Sequence, residues 1–216
     1  MIAIVDYGMG NLRSIAKAFE HVGADAVVTS SARDLQEAER IVLPGVGAFG
    51  EAIANLRSTG LVETLGEEVF RGGKPFLGIC LGMELLATDS IEHGRHKGLG
   101  WIDGTCIPLQ PNGVRVPHTG WNNIDLANAA STPLGRVSNG EDFYFNHTYH
   151  FVPADESTVA AWCTHGTRVA AAVAVGNVFA TQFHPEKSQQ AGLELIADFA
   201  AWAPESAPQA IRTSTP

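Results

Sequence analysis

The residue types best suited to chemistry surround a cysteine near the middle of the chain. Gly78, Cys80 and Gly82 form a Gly-x-Cys-x-Gly motif between an apolar run, residues 76–79, and an amphipathic stretch, residues 81–87. A strand that leads directly into a helix predicts a sharp turn, in which glycines avoid the clashes that side chains would make. Such a cysteine is a candidate nucleophile, because a helix N-terminus lowers the pKa of a thiol. The alternative is a packed core cysteine, as many free cysteines are.

A cysteine nucleophile also needs a base and a group that orients the base. Phe183-His184-Pro185-Glu186 follows directly after a β-rich apolar run, residues 178–182. His184 is therefore the candidate that takes and returns protons, and Glu186 is the carboxylate that fixes its tautomer and stabilises its charged form. None of the other histidines falls in a metal-binding spacing pattern, so we expect no metal site.

Two backbone segments are candidates for binding a developing oxyanion. The helix that begins at Leu81 offers free N–H groups beside the cysteine. Gly45, Val46 and Gly47 form a glycine-flanked loop after the apolar run 41–43. That loop can turn an N–H towards negative charge, but it can equally be a tight connection between a strand and a helix.

Nucleotide and nucleic-acid functions are disfavoured. Gly8 and Gly10 suggest a dinucleotide fingerprint, but the third glycine would fall at Arg13, and no phosphate-binding loop of the G-x-x-x-x-G-K-[ST] type occurs. The formal net charge is −9, and no basic stripe with interleaved aromatics is present. We therefore predict no cofactor and no nucleic-acid partner.

The elements that must position these residues alternate along the first half of the chain. Predicted strands at 2–6, 26–29, 41–43 and 76–79 alternate with predicted helices at 12–22, from an N-cap at Ser31, and at 49–56, 61–70 and 81–87. This alternation predicts an α/β fold with a mostly parallel central sheet flanked by helices. The second half predicts a smaller antiparallel, β-rich part with strands at 143–145, 158–163, 169–175 and 178–182. A turn at Gly176 and Asn177 and a closing helix at 193–202 complete the pattern.

Composition limits the organisation and the location of the chain. Its 216 residues, 45% of them hydrophobic, suit a single domain over 1–203, and the Pro- and Ser-containing tail 204–216 is expected to be disordered. The three cysteines give no disulfide framework. No apolar stretch approaches the length of a membrane span and no signal peptide is recognisable, so the cytoplasm is the expected location.

Six segments, taken together, resemble a known family. They are residues 7–12, 43–47, 78–85, 117–122, 143–149 and 181–188. On these segments the chain is similar, over about residues 1–202, to the glutaminase subunits of imidazole glycerol phosphate synthase, within the class I (triad) glutamine amidotransferases. It implies a flavodoxin-like fold. It also implies that Cys80, His184 and Glu186 hydrolyse glutamine to glutamate and ammonia.

The resemblance also implies roles for further residues. The oxyanion would be bound by the backbone of Leu81, Val46 and Gly47. Glutamine would contact Gly45, Glu84, Thr148 and Tyr149. Asn11, Trp121 and Asn122 would lie at the interface with a (β/α)8-barrel cyclase, which receives the ammonia in histidine biosynthesis. In this family the Val46 loop is thought to be misoriented until the partner binds.

Three positions depart from the family pattern. Glu84 stands where the family usually has a glutamine that helps to bind the substrate, so we expect weaker glutamine binding than in relatives. Thr119 replaces the usual Met and Asn146 the usual Val, both near the interface or the ammonia passage. These departures keep alternatives open: a glutaminase subunit that feeds a sugar amidotransferase in surface polysaccharide synthesis, a catalytically weak docking subunit, or a cysteine hydrolase that acts on another amide.

Overall fold

A computed structural model describes residues 1–204. The helices are α1 (Leu12–His21), α2 (Ala32–Glu37), α3 (Phe49–Ser58), α4 (Leu61–Gly66, continued by a π-turn, Glu67–Arg71), α5 (Leu81–Glu84) and α6 (Gln189–Ala201). The strands of the first half are β1 (Ile2–Val5), β2 (Ala26–Thr29), β3 (Arg40–Gly45), β4 (Phe76–Cys80), β5 (Asp89–Ser90), β6 (His96–Lys97) and β7 (Gly104–Pro108). Those of the second half are β8 (His118–Asn123), β9 (Asp125–Leu126), β10 (Asp142–His147), β11 (Tyr149–Pro153), β12 (Val159–His165), β13 (Thr167–Val175) and β14 (Val178–Thr181).

An eight-stranded sheet organises the chain, in the order β2-β1-β3-β4-β14-β13-β12-β9. Its first five strands are parallel, and β13, β12 and β9 extend it in antiparallel fashion. The predicted α/β class with a mostly parallel sheet is therefore confirmed. Most strands of the second half join this sheet, while β8 pairs with β10 in a separate ribbon and β11, β7, β5 and β6 form a four-stranded sheet.

The central strands are apolar because both of their faces are covered. Every residue of β1, β4 and β14 is buried, as expected for parallel strands with packing on both sides. Two clusters of buried side chains divide the core, one including Phe49 and Phe76 and the other including Phe19 and Phe199. The sheet is thus a rigid support for whatever lies at its edge.

Two local predictions are confirmed by hydrogen bonds and backbone angles. Ser31 caps α2, because its side chain accepts a hydrogen bond from the backbone N–H of Asp34. Gly176 and Asn177 form the two-residue turn between β13 and β14, with Gly176 at φ 58°. The side chain of Asn177 donates to the carbonyl of Val69, which ties the turn to the π-turn that follows α4.

Several predicted boundaries were wrong, among them the start of the closing helix, which begins at Gln189 and not at 193, and two of the errors have a clear physical reason. The helix predicted over 81–87 ends at Glu84, because the carbonyls of Leu85 and Leu86 accept hydrogen bonds from Leu99 and Trp101 of a neighbouring loop instead of continuing the helix. The strand predicted to end at residue 43 continues through Pro44 and Gly45, since both remain in register with β4. A distant segment decides where α5 ends, so the local pattern could not show it.

Apart from residue 204, the predicted tail 204–216 lies outside the described residues. Within residues 1–204, no helix is long and apolar enough to cross a membrane.

Candidate active site

Cys80 and His184 follow neighbouring parallel strands, which places them at one edge of the sheet. Cys80 is the last residue of β4, and His184 comes three residues after β14 ends. These strands pair directly, with Ile79 opposite Thr181. Because the carboxyl ends of parallel strands meet at the same edge, the two predicted catalytic side chains emerge side by side.

The backbone at Cys80 is strained in the way that a nucleophile turn requires. Cys80 has φ 55° and ψ −110°, which side-chain-bearing residues rarely adopt. The flanking glycines permit this turn: a Cβ on Gly82 would collide with the carbonyl oxygen of Leu43, and one on Gly78 would lie 2.9 Å from the carbonyl oxygen of Gly82. Cys80 lines a small pocket, although the residue is only 5% exposed and also packs against one of the two core clusters.

His184 and Glu186 form a buried pair. The Nδ1 of His184 lies 2.8 Å from Oε1 of Glu186, and the two side chains are only 3% and 1% exposed. Since a carboxylate only accepts, Nδ1 carries the proton and Nε2 is left for the thiol. The backbone of His184 is fixed by its N–H donating to the carbonyl of Tyr144 and by its carbonyl accepting from the hydroxyl of Ser188.

The charge state of His184 follows from its neighbours. Burial alone lowers the pKa of this imidazole, but negative charge on Cys80 and the hydrogen bond with Glu186 outweigh burial and raise the pKa to about 10. Nε2 is buried and makes no hydrogen bond of good geometry within residues 1–204, although Cys80 is close enough for its charge to act on the ring. His184 is therefore protonated near neutral pH, and its positive charge would offset negative charge that develops at Cys80.

Most of the other predicted site residues line the same pocket. Its volume is about 210 Å³, below the roughly 300–1,000 Å³ that drug-sized ligands occupy, so it suits a small polar molecule. The lining residues are Val46, Gly47, Cys80, Leu81, Glu84, Glu92, Pro117, Asn146, His147, Thr148 and Tyr149. Gly45 lies beneath this pocket, paired in register with Cys80, and a Cβ there would lie 2.6 Å from the hydroxyl of Tyr7.

Glu84 is a buried carboxyl group on the floor of the pocket. It is 5% exposed, and its Oε1 accepts a hydrogen bond of 2.9 Å from Nε2 of Gln182. Burial raises the pKa of Glu84 to about 8, with Glu92 adding to the rise and the bond from Gln182 and the charge of His184 opposing it. Glu84 is therefore mainly uncharged near neutral pH, and its second oxygen then carries a proton that can be donated.

Glu92 and Gln182 are two further residues at the site that were not predicted from the sequence. Glu92 lines the pocket, and its Oε2 accepts a hydrogen bond of 2.6 Å from the backbone N–H of Phe49, the first residue of α3. Its position in a polar loop gave no indication in the sequence that this side chain would line the pocket. Gln182 could have been found, because it is a polar side chain at the end of an otherwise apolar strand.

The three predicted interface residues occupy different positions. Trp121 is 47% exposed and packs edge-on against Tyr144 across the β8–β10 ribbon. Asn122, the next residue of β8, faces the other side of the ribbon, where it donates to the carbonyl of Thr164 and contacts Nε2 of His118. Asn11 is exposed at the start of α1.

Thr119 and Asn146, which both differ from the usual family residues, are hydrogen-bonded to each other. Thr119 and Asn146 are directly opposite each other in the ribbon, and the hydroxyl of Thr119 donates to Oδ1 of Asn146 over 3.0 Å. The carbonyl of Asn146 lies 3.9 Å from Sγ of Cys80. A polar cross-strand pair thus stands beside the pocket. Within the described chain, no group of three His, Cys, Asp or Glu side chains is arranged to hold a metal ion.

Comparison with known proteins gives consistent matches along the chain. Residues 3–202 match the model of the family described as "Glutamine amidotransferase class-I". A relative from Geobacter sulfurreducens, described as imidazole glycerol phosphate synthase subunit HisH, is 49% identical over 205 residues, 92% of this chain and 97% of that protein. A subunit of the same description from Rhodospirillum rubrum is 46% identical, and the match covers 94% of this chain and 99% of that protein. Another from Aquifex aeolicus is 47% identical, and the match covers 91% of this chain and 94% of that protein.

Solved structures share the fold at low sequence identity. A structure described as a glutamine amidotransferase superposes with a TM-score of 0.71 at 18% identity, covering 93% of this chain and all of its own. PurLQS from Thermotoga maritima superposes with a TM-score of 0.69 at 21% identity, covering 93% and 97%. These structural matches support the architecture alone.

Proposed function

Because the chain belongs to the class I glutamine amidotransferase family, among the HisH subunits of imidazole glycerol phosphate synthase, we propose that it hydrolyses glutamine and supplies the ammonia to a synthase partner. It is the glutaminase subunit of that enzyme in histidine biosynthesis. The observation that carries this function is the placement of a strained cysteine, which lines one small pocket, and a buried His–Glu pair at the same sheet edge.

The first half of the proposed reaction forms a thioester. The thiolate of Cys80 attacks the carbonyl carbon of the glutamine side chain, and the negative charge that develops on oxygen is bound by backbone N–H groups of Leu81 and of the loop formed by Val46 and Gly47. The imidazolium of His184 gives its Nε2 proton to the amide nitrogen. The carbon–nitrogen bond then breaks, and ammonia leaves.

The second half releases glutamate. Neutral His184 takes a proton from water as the water attacks the thioester carbon, and the proton passes to Sγ of Cys80 as the carbon–sulfur bond breaks. Glu186 keeps Nδ1 protonated throughout, so that Nε2 always faces the reacting atoms. The buried position of both side chains prevents solvent from competing for this pair.

Glutamine recognition is proposed for the polar groups around the reacting cysteine. Thr148 and Tyr149, which follow β10, form one wall, the Val46 loop and Glu84 also line the pocket, and Gly45 is paired in register with Cys80. With Oε1 occupied by Gln182, an uncharged Glu84 offers its hydroxyl to the substrate, much as an amide N–H would at this position. Ionised Glu84 would lack this donor and would repel the carboxylate of glutamine.

The partner is proposed to be a (β/α)8-barrel cyclase that binds the exposed side of the ribbon. Trp121 offers an aromatic anchor of the kind that dominates protein interfaces, and exposed Asn11 is proposed to contribute to the same interface. The polar pair of Thr119 and Asn146 lies between Trp121 and the pocket, where ammonia would have to pass. A closed passage serves the chemistry, because ammonia released into water would be protonated and would lose its nucleophilicity.

Glutamate formation by the assembled enzyme tests this proposal. The purified chain, mixed with its barrel partner and the acceptor substrate, should produce glutamate from glutamine, and Cys80→Ala should abolish this activity. Cys163→Ala is the matched control, because Cys163 is a buried free cysteine on β12 outside the pocket. Equal activity in the wild type and in Cys80→Ala would reject the mechanism.

The alternative acceptors are separated by the choice of partner in the same assay. Stimulation by the barrel cyclase, and none by a sugar amidotransferase, is the expected result, in line with the HisH relatives. A docking role without chemistry would be indicated if the chain and its partner formed no glutamate from glutamine and Cys80→Ala still supported synthesis by the partner. The cytoplasmic location expected from the sequence remains a prediction.

A further inference from the structure

A chain of hydrogen bonds through two buried histidines runs beside the pocket and is not used by the proposed reaction. His147, at the end of β10, is 6% exposed, and its Nδ1 lies 2.7 Å from the carbonyl oxygen of Tyr149. Its Nε2 lies 2.9 Å from Nδ1 of His118, which is 3% exposed. Nε2 of His118 lies 3.1 Å from Nδ2 of Asn122.

The two ends of this chain fix the direction of every bond in it. The carbonyl of Tyr149 can only accept, so Nδ1 of His147 carries a proton and its Nε2 is an acceptor when the ring is neutral. Nδ1 of His118 must then donate to that Nε2, and Nε2 of His118 must accept from the amide N–H of Asn122. The same amide also donates to the carbonyl of Thr164, which is consistent with this orientation.

Both imidazoles are neutral in this arrangement, as their surroundings require. Burial lowers the pKa of His118 to about 4, with His165 stacked on its ring adding to the shift. Burial also lowers the pKa of His147 to about 3, and His118, His150 and His165 add to the shift, while the bond to Tyr149 opposes it. A proton on His147 would set two donors against each other at the bond between the rings.

This series of hydrogen bonds joins the wall of the glutamine pocket to the ribbon that carries Trp121. His147 and Tyr149 flank Thr148, and all three residues line the pocket. His118 begins β8, and Asn122 lies in the same strand directly beside the exposed Trp121. Stacking of His118 on Phe145 and on His165 keeps the ring in the plane that both of its hydrogen bonds need.

We infer that His118 and His147 are positioning residues, whose directional hydrogen bonds between Asn122 and the Tyr149 carbonyl hold the Thr148–Tyr149 wall in the geometry that binds glutamine. The inference rests on the proposed glutaminase function, because Thr148 and Tyr149 are substrate contacts only in that function. Loss of these hydrogen bonds should weaken binding of substrate and transition state alike, which raises KM and leaves kcat unchanged.

Two substitutions of His118 separate this role from simple packing. His118→Phe keeps the aromatic stack and removes both nitrogens, so it should raise the KM for glutamine about five- to tenfold at unchanged kcat, as expected when a buried acceptor loses its donor. His118→Asn restores an N–H near the position of Nδ1 and should return KM to within about twofold of wild type. An unchanged KM in His118→Phe, or equal effects of both substitutions, would overturn the inference.

A second measurement does not depend on activity or on a substituted protein. In the full chain with ¹⁵N-labelled histidine at pH 7, NMR should show His147 neutral, with Nδ1 protonated and Nε2 unprotonated. Protonation at Nε2 would overturn the inference even if the glutaminase is fully active. Conversely, absence of glutaminase activity in the wild type would reject the proposed function and leave this tautomer test valid.

Discussion

The two walls of the candidate glutamine pocket are built differently. One wall comes from the edge of the parallel sheet, where Cys80 ends β4 and Leu81 follows it, and the buried His184–Glu186 pair lies behind this wall after β14. The other comes from the β8–β10 ribbon and the segment after it, which keep one face in solvent. The first wall holds the reacting groups with little freedom to move. The second is accessible to a partner, and its two faces differ: Trp121 points outward and the histidine chain inward.

This difference suggests a division of labour. Chemistry needs the thiol, imidazole and carboxylate held within a fraction of an ångström, and a packed sheet edge provides that rigidity. Coupling to a synthase needs a surface that another protein can contact close to the substrate, and a two-stranded ribbon provides that contact. Substitutions on the sheet wall should therefore affect turnover, while those on the ribbon wall should affect binding of glutamine or of the partner.

The largest effect is expected on the sheet wall. His184→Asn removes the proton donor and acceptor at Nε2 and should lower kcat about 10²- to 10⁴-fold with little change in the KM for glutamine. Steady-state glutamate production in the assembled enzyme measures both constants. His21→Asn, an exposed histidine at the end of α1, is the control. A large rise in KM at unchanged kcat would contradict the assignment of His184 to the chemical step.

On the ribbon wall, the outward-facing Trp121 should contribute to the affinity for the partner and not to kcat. Trp121→Ala should weaken binding of the barrel subunit by about 2 kcal/mol, roughly 30-fold in Kd, as for an aromatic anchor. Titration calorimetry measures this loss, and Val28→Ala is the control because Val28 is an exposed apolar residue on the edge strand β2. Unchanged affinity in Trp121→Ala would move the interface away from the ribbon.

Glu84, on the floor between the walls, should make glutamine binding depend on pH. Its pKa of about 8 means that the carboxyl loses its proton, and its donor, as the pH rises through 8. The KM for glutamine should therefore rise several-fold between about pH 7 and 9 in the wild type, and Glu84→Gln should show no such rise and have the lower KM at pH 9. A KM in Glu84→Gln that is not lower than that of the wild type at pH 9 would contradict this account.

The protonation of Glu84 should also make the stability of the folded chain fall as the pH rises. The folded-state pKa of Glu84 lies above its ordinary value of 4.5, so the uncharged form stabilises the folded chain below about pH 4.5 and this contribution is lost as the pH rises through about 8. Glu84→Gln should therefore gain stability relative to the wild type as the pH is raised. Thermal melting at pH 5 and pH 9 measures the difference, and a constant difference in Tm would exclude a perturbed Glu84.

The smallest effect concerns the polar pair on the ribbon. Thr119→Val and Asn146→Ala, singly and together, form a double-mutant cycle whose coupling free energy should be about 0.2–1 kcal/mol in urea unfolding, as for other cross-strand pairs. Asn123 and Asp142 are opposite each other in the same ribbon and provide a reference cycle. A coupling free energy no larger than that of the reference pair would mean that the hydrogen bond between Thr119 and Asn146 adds no stability of its own.

The sheet wall was largely predictable from sequence, and the ribbon wall was not. Strands that are buried on both faces leave continuous apolar runs, and a glycine-flanked cysteine after such a run has few interpretations. The ribbon wall depends on pairing between residues far apart in the chain, such as Thr119 with Asn146 and His118 with His147. Nothing local in their sequence indicates these contacts. The early end of α5 was hidden for the same reason, since a loop some fifteen residues later accounts for it.

The most direct test of the central claim is labelling with a glutamine-like electrophile, followed by mass spectrometry of the modified peptide. In the assembled enzyme, the account predicts rapid modification of Cys80 alone, with protection by glutamine and a large loss of rate in His184→Asn. Modification of Cys106 or Cys163 at a similar rate, or a rate at Cys80 that does not depend on His184, would contradict the pairing of this thiol with this imidazole.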